Sequence, residues 1–161
     1  MLLWLILKGK VLTNSERYRR HLVVDSCCGL CGATEEDFSH LFRDCTEARL
    51  LWVRVVKDEK LAKFLSIDFR TWLMANIENR QHFSITKEDW DIAFCTFLWN
   101  IWVNRNYRMF SPESISFEGI YHRSMWMIAE FGRASSSLRP ANNIFTASLF
   151  GSMGGSAYGV D

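Results

Sequence analysis

Residues 27–45 read CCGLCGATEEDFSHLFRDC and hold four of the five cysteines of this 161-residue chain, together with one of its four histidines. Structural zinc sites use four sulfur or imidazole ligands in a tetrahedron, and three cysteines with one histidine are a common set. Four such side chains in so short a segment predict a metal site rather than a group of unrelated buried thiols.

The spacing of these side chains leaves one choice between adjacent cysteines. Cys31 can pair with Cys28 across two residues or with Cys27 across three, and both gaps occur in zinc sites. The two-residue gap is the more frequent, and Gly29 inside it eases the turn. We therefore treat Cys27 as a spare thiol and predict a zinc site with these ligands: Cys28, Cys31, His40 and Cys45.

The five-residue step from His40 to Cys45 constrains the backbone between these two ligands. In an unbroken α-helix, residues five apart point about 140° apart, because each residue turns by about 100°. Two ligands placed in that way would not converge on one ion. The spacing therefore predicts a helix break at residues 44–46, with a new helix after Cys45 that carries Glu47 in its first turn.

Composition predicts a folded protein in a reducing compartment. Apolar residues make up 48% of the chain and aromatic residues 14%, which is enough to build a core. The net charge of +1 provides no global attraction to nucleic acid or membrane. The odd cysteine count and the lack of a signal-peptide pattern around the apolar run 2–7 predict an intracellular protein, nuclear or cytoplasmic, that is neither secreted nor membrane-bound.

Hydrophobic periodicity predicts a mainly α fold. Thr13 and Glu16 form a capping box at the start of a basic helix, on which Tyr18 and Leu22 are expected to line one apolar face. A small hairpin is expected around the cysteine loop. Further helices are expected over 59–65, 68–78, 86–110 and 114–131.

Three parts are expected along the chain. Residues 1–58 form a small helical domain built around the Cys₃His knuckle, and residues 59–132 form a helical extension that contains the aromatic helix. Gly132 is expected to end the last helix, and the Ser- and Gly-rich residues 133–161 are expected to be a disordered tail.

The aromatic helix raises two alternatives for its tryptophans. The usual burial of such an aromatic stripe favours the packing of Trp99 and Trp102 in the domain's own core, while Arg105 is expected to hydrogen-bond across helices. The alternative is that Trp99 or Trp102 faces outward and forms a surface for another protein domain.

An ordered series of short motifs connects this chain with a known family. The series comprises Trp4 in an apolar helix, Leu-Thr-Asn at 12–14, Cys-Gly-Leu-Cys-Gly at 28–32, and His-Leu-Phe at 40–42 followed by Cys45. It resembles the zinc-binding region that follows the polymerase domain in plant non-LTR retrotransposon reverse transcriptases. The segment FLWNIWVNRNYRMF, residues 97–110, resembles a helix that follows in the same elements, so that the resemblance covers residues 2–110. Gly29 and Thr46 stand where that family has prolines.

The resemblance implies the same four zinc ligands and a non-catalytic module that assists binding of RNA or DNA. Arg17, Arg20 and His21 are expected on one helix face, where they could follow a phosphate backbone. Other domains of the same retroelement are the second class of partner, and the alternative function is a protein-interaction or structural remnant of a degenerate element. The candidate nucleic-acid contacts are Lys8, Lys10, Arg17, Arg19 and Arg20.

No enzymatic activity is expected from this chain. A catalytic zinc keeps an open position for water, whereas four protein ligands close the shell. His82 and Cys95 lie 13 residues apart without an orienting partner, and no phosphate-binding glycine loop is present. We expect a truncated relative of the retroelement proteins, without polymerase or ribonuclease H domains.

Overall fold

The computed structural model describes residues 2–78, 82–85, 90–110 and 116–138, and these residues form a helical protein. No strand occurs among them, apart from a single antiparallel bridge between Val56 and Ser84, so the predicted α class is confirmed. None of the described helices has the length and apolar character needed to cross a membrane. In chain order the elements are α1 (Leu2–Leu7), α2 (Asn14–Arg19), a π turn (His40–Asp44), α3 (Thr46–Val55), α4 (Asp58–Ser66), α5 (Phe69–Ile77), α6 (Trp90–Phe110) and α7 (Phe117–Leu138).

The basic helix α2 begins as predicted but is shorter than predicted. The hydroxyl of Thr13 accepts a hydrogen bond from the backbone N–H of Glu16 at 3.3 Å, as in a capping box. The helix ends at Arg19, and His21 has a φ of +57°, which is incompatible with a continuing right-handed helix. Tyr18 and Leu22 are both exposed, so the expected apolar face does not form.

The middle helices agree with the sequence prediction. Helix α4 covers the range expected at 59–65, and α5 covers most of 68–78. The carboxylate of Asp68 caps α5 by accepting a hydrogen bond from the backbone N–H of Thr71 at 2.9 Å.

An aromatic core joins α3 with α4, α5 and α6. Trp52 of α3 is fully buried, and its ring centroid lies 5.3–5.8 Å from those of four other aromatic side chains. The pairs with Trp72 and Phe97 meet edge to face, an arrangement that the aromatic quadrupole favours. The four partners of Trp52 are Phe64, Trp72, Phe94 and Phe97.

The two long carboxy-terminal helices differ from prediction mainly at their ends. Residues 86–89, where the helix predicted over 86–110 was expected to begin, lie outside the described residues. Helix α7 does not stop at Gly132 but continues to Leu138, and Gly132 is not in the left-handed conformation of a helix stop.

The chain divides into two compact units, Met1–Ala129 and Glu130–Asp161, and α7 passes from the first into the second. Residues 133–138, expected to begin the disordered tail, are helical. The remainder of the predicted tail lies outside the described residues, and the predicted boundary at residue 58 stays a prediction.

Candidate metal centre

Two backbone hydrogen bonds close the cysteine loop. The N–H of Cys28 donates to the carbonyl of Ala33 at 2.8 Å, and the N–H of Glu36 donates to the carbonyl of Ser26 at 2.8 Å. Gly32 has a φ of +74°, a left-handed conformation that a residue with a side chain rarely adopts. The loop therefore has the connections of the predicted hairpin, although it forms no strand, and Gly32 rather than Gly29 makes the tight turn.

The π turn carries His40 to the same point as Cys45. The side chain of Asp37 accepts a hydrogen bond from the backbone N–H of His40 at 2.7 Å and so caps the start of this turn. The N–H of Cys45 donates to the carbonyl of His40 at 2.7 Å, which closes a five-residue turn. Helix α3 begins immediately after Cys45, as predicted. The segment before it is a π turn, which is wider than an α-helical turn, rather than the plain helix end that the spacing predicted.

Four side chains converge at this point of the molecule, and their ligand atoms all lie within 4.8 Å of one another: Cys28, Cys31, His40 and Cys45. The sulfur atoms of Cys28 and Cys45 are 3.9 Å apart, and the Cys31 sulfur lies 3.3 Å from Nε2 of His40. In a tetrahedral zinc site, two sulfurs would lie about 3.8 Å apart and a sulfur and an imidazole nitrogen about 3.6 Å apart, from bond lengths of about 2.3 and 2.0–2.1 Å. The donor set and its spacing both fit zinc.

The local electrostatics favour a thiolate at Cys28. A hydrogen bond from the Cys45 thiol lowers the pKa of Cys28 to about 4, and backbone N–H groups of Cys31 and Leu30 act in the same direction. The same contact raises the pKa of Cys45, because a second negative charge beside the Cys28 thiolate is unfavourable. The Cys28 sulfur is therefore favoured as a thiolate that can bind a cation. The charge of a bound cation would then also favour ionisation of the Cys45 thiol.

The remaining cysteines lie apart from this group. Cys27 is exposed, and partial desolvation of its thiol together with the nearby carboxylate of Asp25 raises its pKa. Burial likewise raises the pKa of Cys95 on α6. All five thiols are free, which leaves the four clustered sulfur and nitrogen donors available to a metal.

A second set of polar side chains holds the π turn in shape. Asp44 accepts hydrogen bonds from the Ser39 hydroxyl at 2.6 Å and from Nε of Arg43 at 2.8 Å. Arg43 also donates to the carbonyl of Ile67 at 2.6 Å, and its guanidinium lies over the ring of Trp72. These contacts tie the metal-binding turn to α5.

A buried ionic network ties the cysteine loop to α6. Arg105 donates to the carboxylate of Glu36 at 2.6 Å and to the side-chain oxygen of Asn14 at 2.7 Å. All three side chains are buried, and the backbone N–H of Asn14 also donates to Glu36 at 3.0 Å. The prediction that Arg105 bonds across helices is confirmed. Glu36 was not predicted as a partner, because in the sequence it belongs to an acidic run typical of a solvated surface.

The predicted nucleic-acid contacts do not form one uniform basic face. Lys8 and Lys10 are exposed after α1. Arg19 and Arg20 both bind the carboxylate of Glu16, and these hydrogen bonds, with that of Arg19 the larger effect, lower the pKa of Glu16 to about 2. Arg17 turns away from this pair.

Arg17 instead approaches the end of α6, where its Nη1 lies 3.6 Å from the sulfur of Met109. Because α2 ends at Arg19, His21 does not share a helical face with Arg17 and Arg20. The expected three-residue track along α2 is therefore wrong.

Comparison with known proteins agrees with this geometry. Residues 1–52 match the family described as zinc-binding in reverse transcriptase. The chain is also 33% identical over 100 residues to an Arabidopsis thaliana protein named "Putative ribonuclease H protein", a match that covers 62% of this chain and 16% of that protein. No solved structure matches the chain. The resemblance predicted from the motifs is confirmed: over residues 1–52 the chain is similar to the zinc-binding region of reverse transcriptases, and its cofactor is zinc.

Proposed function

We propose that this chain is a non-catalytic zinc-stabilised module that assists the binding of RNA or DNA inside the cell, with Cys28, Cys31, His40 and Cys45 as the zinc ligands. The observation that carries the proposal is the Cys₃His group within a segment similar to the zinc-binding region of reverse transcriptases. Nucleic acid is the polymer with which such a region would work, and it is recognised mainly through its phosphates.

A structural role for the metal follows from the ligand set. Four protein ligands complete a tetrahedral shell, so that the ion offers no free position to polarise a substrate or activate water. The buried sulfurs of Cys28 and Cys45 also belong to the hydrophobic core, which makes the ion part of the packing. The module would therefore contribute binding surface, while any catalysis would belong to other domains.

The metal content of the full chain tests the first part of this proposal. We expect native mass spectrometry to find one zinc per chain, which Cys31→Ser removes. Cys27→Ser is the matched control, since Cys27 is adjacent to the site but outside it, and we expect it to retain the zinc. A folded wild-type chain without zinc, or loss of zinc in the Cys27→Ser control, would contradict the proposed ligand set.

Fluorescence anisotropy tests the second part. We expect the zinc-loaded chain to bind labelled 20-nucleotide RNA and DNA with an affinity that falls steeply as salt increases, because bound phosphates release counterions. The Cys31→Ser protein is the control for the contribution of the zinc fold. Absence of binding at low salt to single- and double-stranded probes would rule out the nucleic-acid role.

Exposed aromatic side chains support a second candidate function, a surface for another protein domain. Trp99 on α6 is 45% exposed and Trp126 on α7 is 63% exposed, whereas Trp102 is half-buried against the core, so the expected core packing is wrong for Trp99. The match covers only 16% of the Arabidopsis relative, and we propose that a domain in the remainder of such a longer protein covers these side chains. Trp99→Ser and Trp126→Ser should leave zinc content unchanged and weaken association with such a domain, measured by isothermal titration.

A further inference from the structure

The outward face of α1 carries a tryptophan that lies largely in solvent. Leu2 and Ile6, one turn apart on the inward face, are both buried in the core and hold the helix in place. Trp4 lies midway between them along the chain, about 200° around the helix from each, and is 57% exposed. Because the buried face fixes the helix, the indole of Trp4 is held on the outer surface.

Two lysines lie at the end of the same helix. The backbone N–H of Lys8 donates to the carbonyl of Trp4 at 3.0 Å, so the side chains of these two residues share one face, one turn apart. Gly9 follows with a φ of +61°, and the N–H of Lys10 donates back to the carbonyl of Leu5 at 2.8 Å. This is the Schellman arrangement that ends a helix, and it fixes the backbone of Lys10 close to Lys8.

The charges of these two lysines are not neutralised within the described part of the chain. Lys8 and Lys10 are exposed, and neither forms an ion pair there. The sequence contains no acidic residue before Glu16. Arg19 and Arg20 differ in this respect, because both are paired with Glu16. The end of α1 therefore offers unpaired positive charge beside an exposed aromatic ring.

A single-stranded nucleic acid matches both features of this surface. Each unpaired base has a flat face that stacks on an exposed aromatic ring, and the phosphates beside it attract lysine. In a duplex the bases are already stacked on one another. A lipid surface fits less well, because such binding scales with the apolar area that is buried, and Trp4 and Leu7 are the only large apolar side chains of α1 that are exposed.

We propose that α1 binds a single-stranded segment of RNA or DNA, with one base stacked on the indole of Trp4 and neighbouring phosphates bound by Lys8 and Lys10. The inference rests on the nucleic-acid role proposed above and deepens it. It adds an aromatic contact to the basic ones and makes an unpaired strand the preferred ligand. It also moves the main contact from α2, where Glu16 holds two of the arginines, to α1.

Fluorescence anisotropy of the full zinc-loaded chain with labelled single- and double-stranded 20-mers tests the proposal. We expect Trp4→Ala to weaken binding of the single strand about tenfold, as for the loss of one base stacked on an aromatic ring, and to leave the salt slope unchanged. Duplex binding should change less than about twofold. Lys8→Gln should instead reduce the salt slope by about 0.7, the value for one lost phosphate contact on a single strand.

Two matched variants serve as controls. Tyr107→Ala removes a ring of the same 57% exposure from α6, and Lys63→Gln removes the charge of an exposed lysine of α4. Neither should change the affinity for the single strand more than about twofold. Unchanged zinc stoichiometry and circular dichroism establish that each variant is folded.

The outcomes separate this inference from the function on which it rests. If the wild type binds the single strand and Trp4→Ala binds it equally well, α1 is not the stacking site and the nucleic-acid role stands. Equal losses on single strand and duplex would also overturn the inference, because stacking on an unpaired base does not explain them. A wild type that binds neither probe overturns both. Binding to phosphatidylserine vesicles that depends on Trp4, without such dependence for the strand, would assign α1 to a lipid surface instead.

Discussion

Cys27 and Cys28 are adjacent in the chain, but Cys27 is exposed and Cys28 is buried. The backbone conformation of the loop causes this difference. The N–H of Cys28 is fixed to the Ala33 carbonyl, which turns its side chain toward the buried Cys45, whereas Cys27 is exposed beside Asp25. A thiol becomes a ligand where N–H donors and a cation can stabilise its thiolate. Of these two neighbouring cysteines, Cys28 has that environment and Cys27 does not.

Substitution of the two loop glycines should have different effects. Gly32→Ala should lower the free energy of unfolding by about 1 kcal/mol and weaken zinc binding, because Gly32 has a φ of +74° and alanine in that conformation is strained. Gly29→Ala is the control, since its added Cβ meets nothing within 4 Å. Urea denaturation of the zinc-loaded proteins measures both, and equal losses at the two positions would contradict this reading of the turn.

Glu16 should contribute to stability in a pH-dependent way. Its pKa is lowered from 4.5 to about 2 by Arg19 and Arg20. Because the folded-state pKa lies below the unfolded one, the stabilisation is complete above about pH 4.5 and is lost as the pH falls toward 2. The difference in urea midpoint between wild type and Glu16→Gln should therefore be largest near pH 6 and shrink on acidification, and a constant difference would exclude the ion pairs as its source.

The π turn is the element that makes the five-residue ligand spacing workable. An α-helical turn would point His40 and Cys45 in different directions, and the wider turn brings both donors to one side. π turns are rare, and this one is held by the side chains of Ser39, Arg43 and Asp44, with Trp72 beneath the guanidinium. The same segment then ends at Cys45, so that ligand geometry and the start of α3 are set together.

Loss of the side-chain support of this turn should weaken zinc binding without removing a ligand. Asp44→Asn keeps the shape of the side chain but replaces one of its two acceptor oxygens by an amide group. We expect the zinc affinity to fall about tenfold, because loss of a residue that orients metal ligands commonly has an effect of this size. Competition with a chromophoric chelator measures the affinity. Asp58→Asn, an exposed position in α4, should have no effect, and an equal loss in both variants would show that Asp44 acts only through total charge.

The buried network between the cysteine loop and α6 should matter more than an ion pair at the surface. Glu36→Gln leaves the charge of Arg105 buried without a counterion, and we expect a loss of about 3–5 kcal/mol in unfolding free energy. Glu118→Gln removes an exposed partner of Arg54 and should cost less than about 1 kcal/mol. Chemical denaturation gives both values, and similar losses would show that Glu36 is not an essential counterion.

In the molecule as a whole, the metal site and the aromatic core are continuous. Cys28 and Cys45 are counted among the buried core residues, and Trp52 donates from its indole nitrogen to the carbonyl of Phe42 in the π turn at 2.8 Å. A change at the ion is therefore transmitted directly to the centre of the fold.

Removal of zinc should destabilise the first unit rather than a local loop alone. With free zinc at about 1,000 times its dissociation constant, ligand binding contributes about 4 kcal/mol to folding, and a chelator removes this contribution. We expect thermal unfolding followed by tryptophan fluorescence to shift to lower temperature with chelator. The Cys31→Ser protein should unfold at the lower temperature with or without chelator. A wild-type transition that does not move would show that the core forms independently of the ion.

The features predicted most accurately from the sequence are those that depend on residues close together along the chain. The four clustered donors lie within 18 residues, and the helices α4, α5 and α6 follow from periodicity and caps. It could not predict the π turn, because a five-residue spacing is equally compatible with a break. The pairing of Arg105 with Glu36 was also missed, because the two residues lie 69 positions apart and no periodic pattern records such a contact.

The spacing of the buried network has a consequence for the order in which the chain is made. All four metal-binding side chains have been synthesised by residue 45, but Arg105, the partner of Glu36, follows 60 positions later. At about 5–20 residues per second, translation leaves an interval of about 3–12 s between the two events. All four zinc ligands are therefore available to a metal ion during this interval, while Glu36 still lacks its counterion, and Arg105 is added only afterwards.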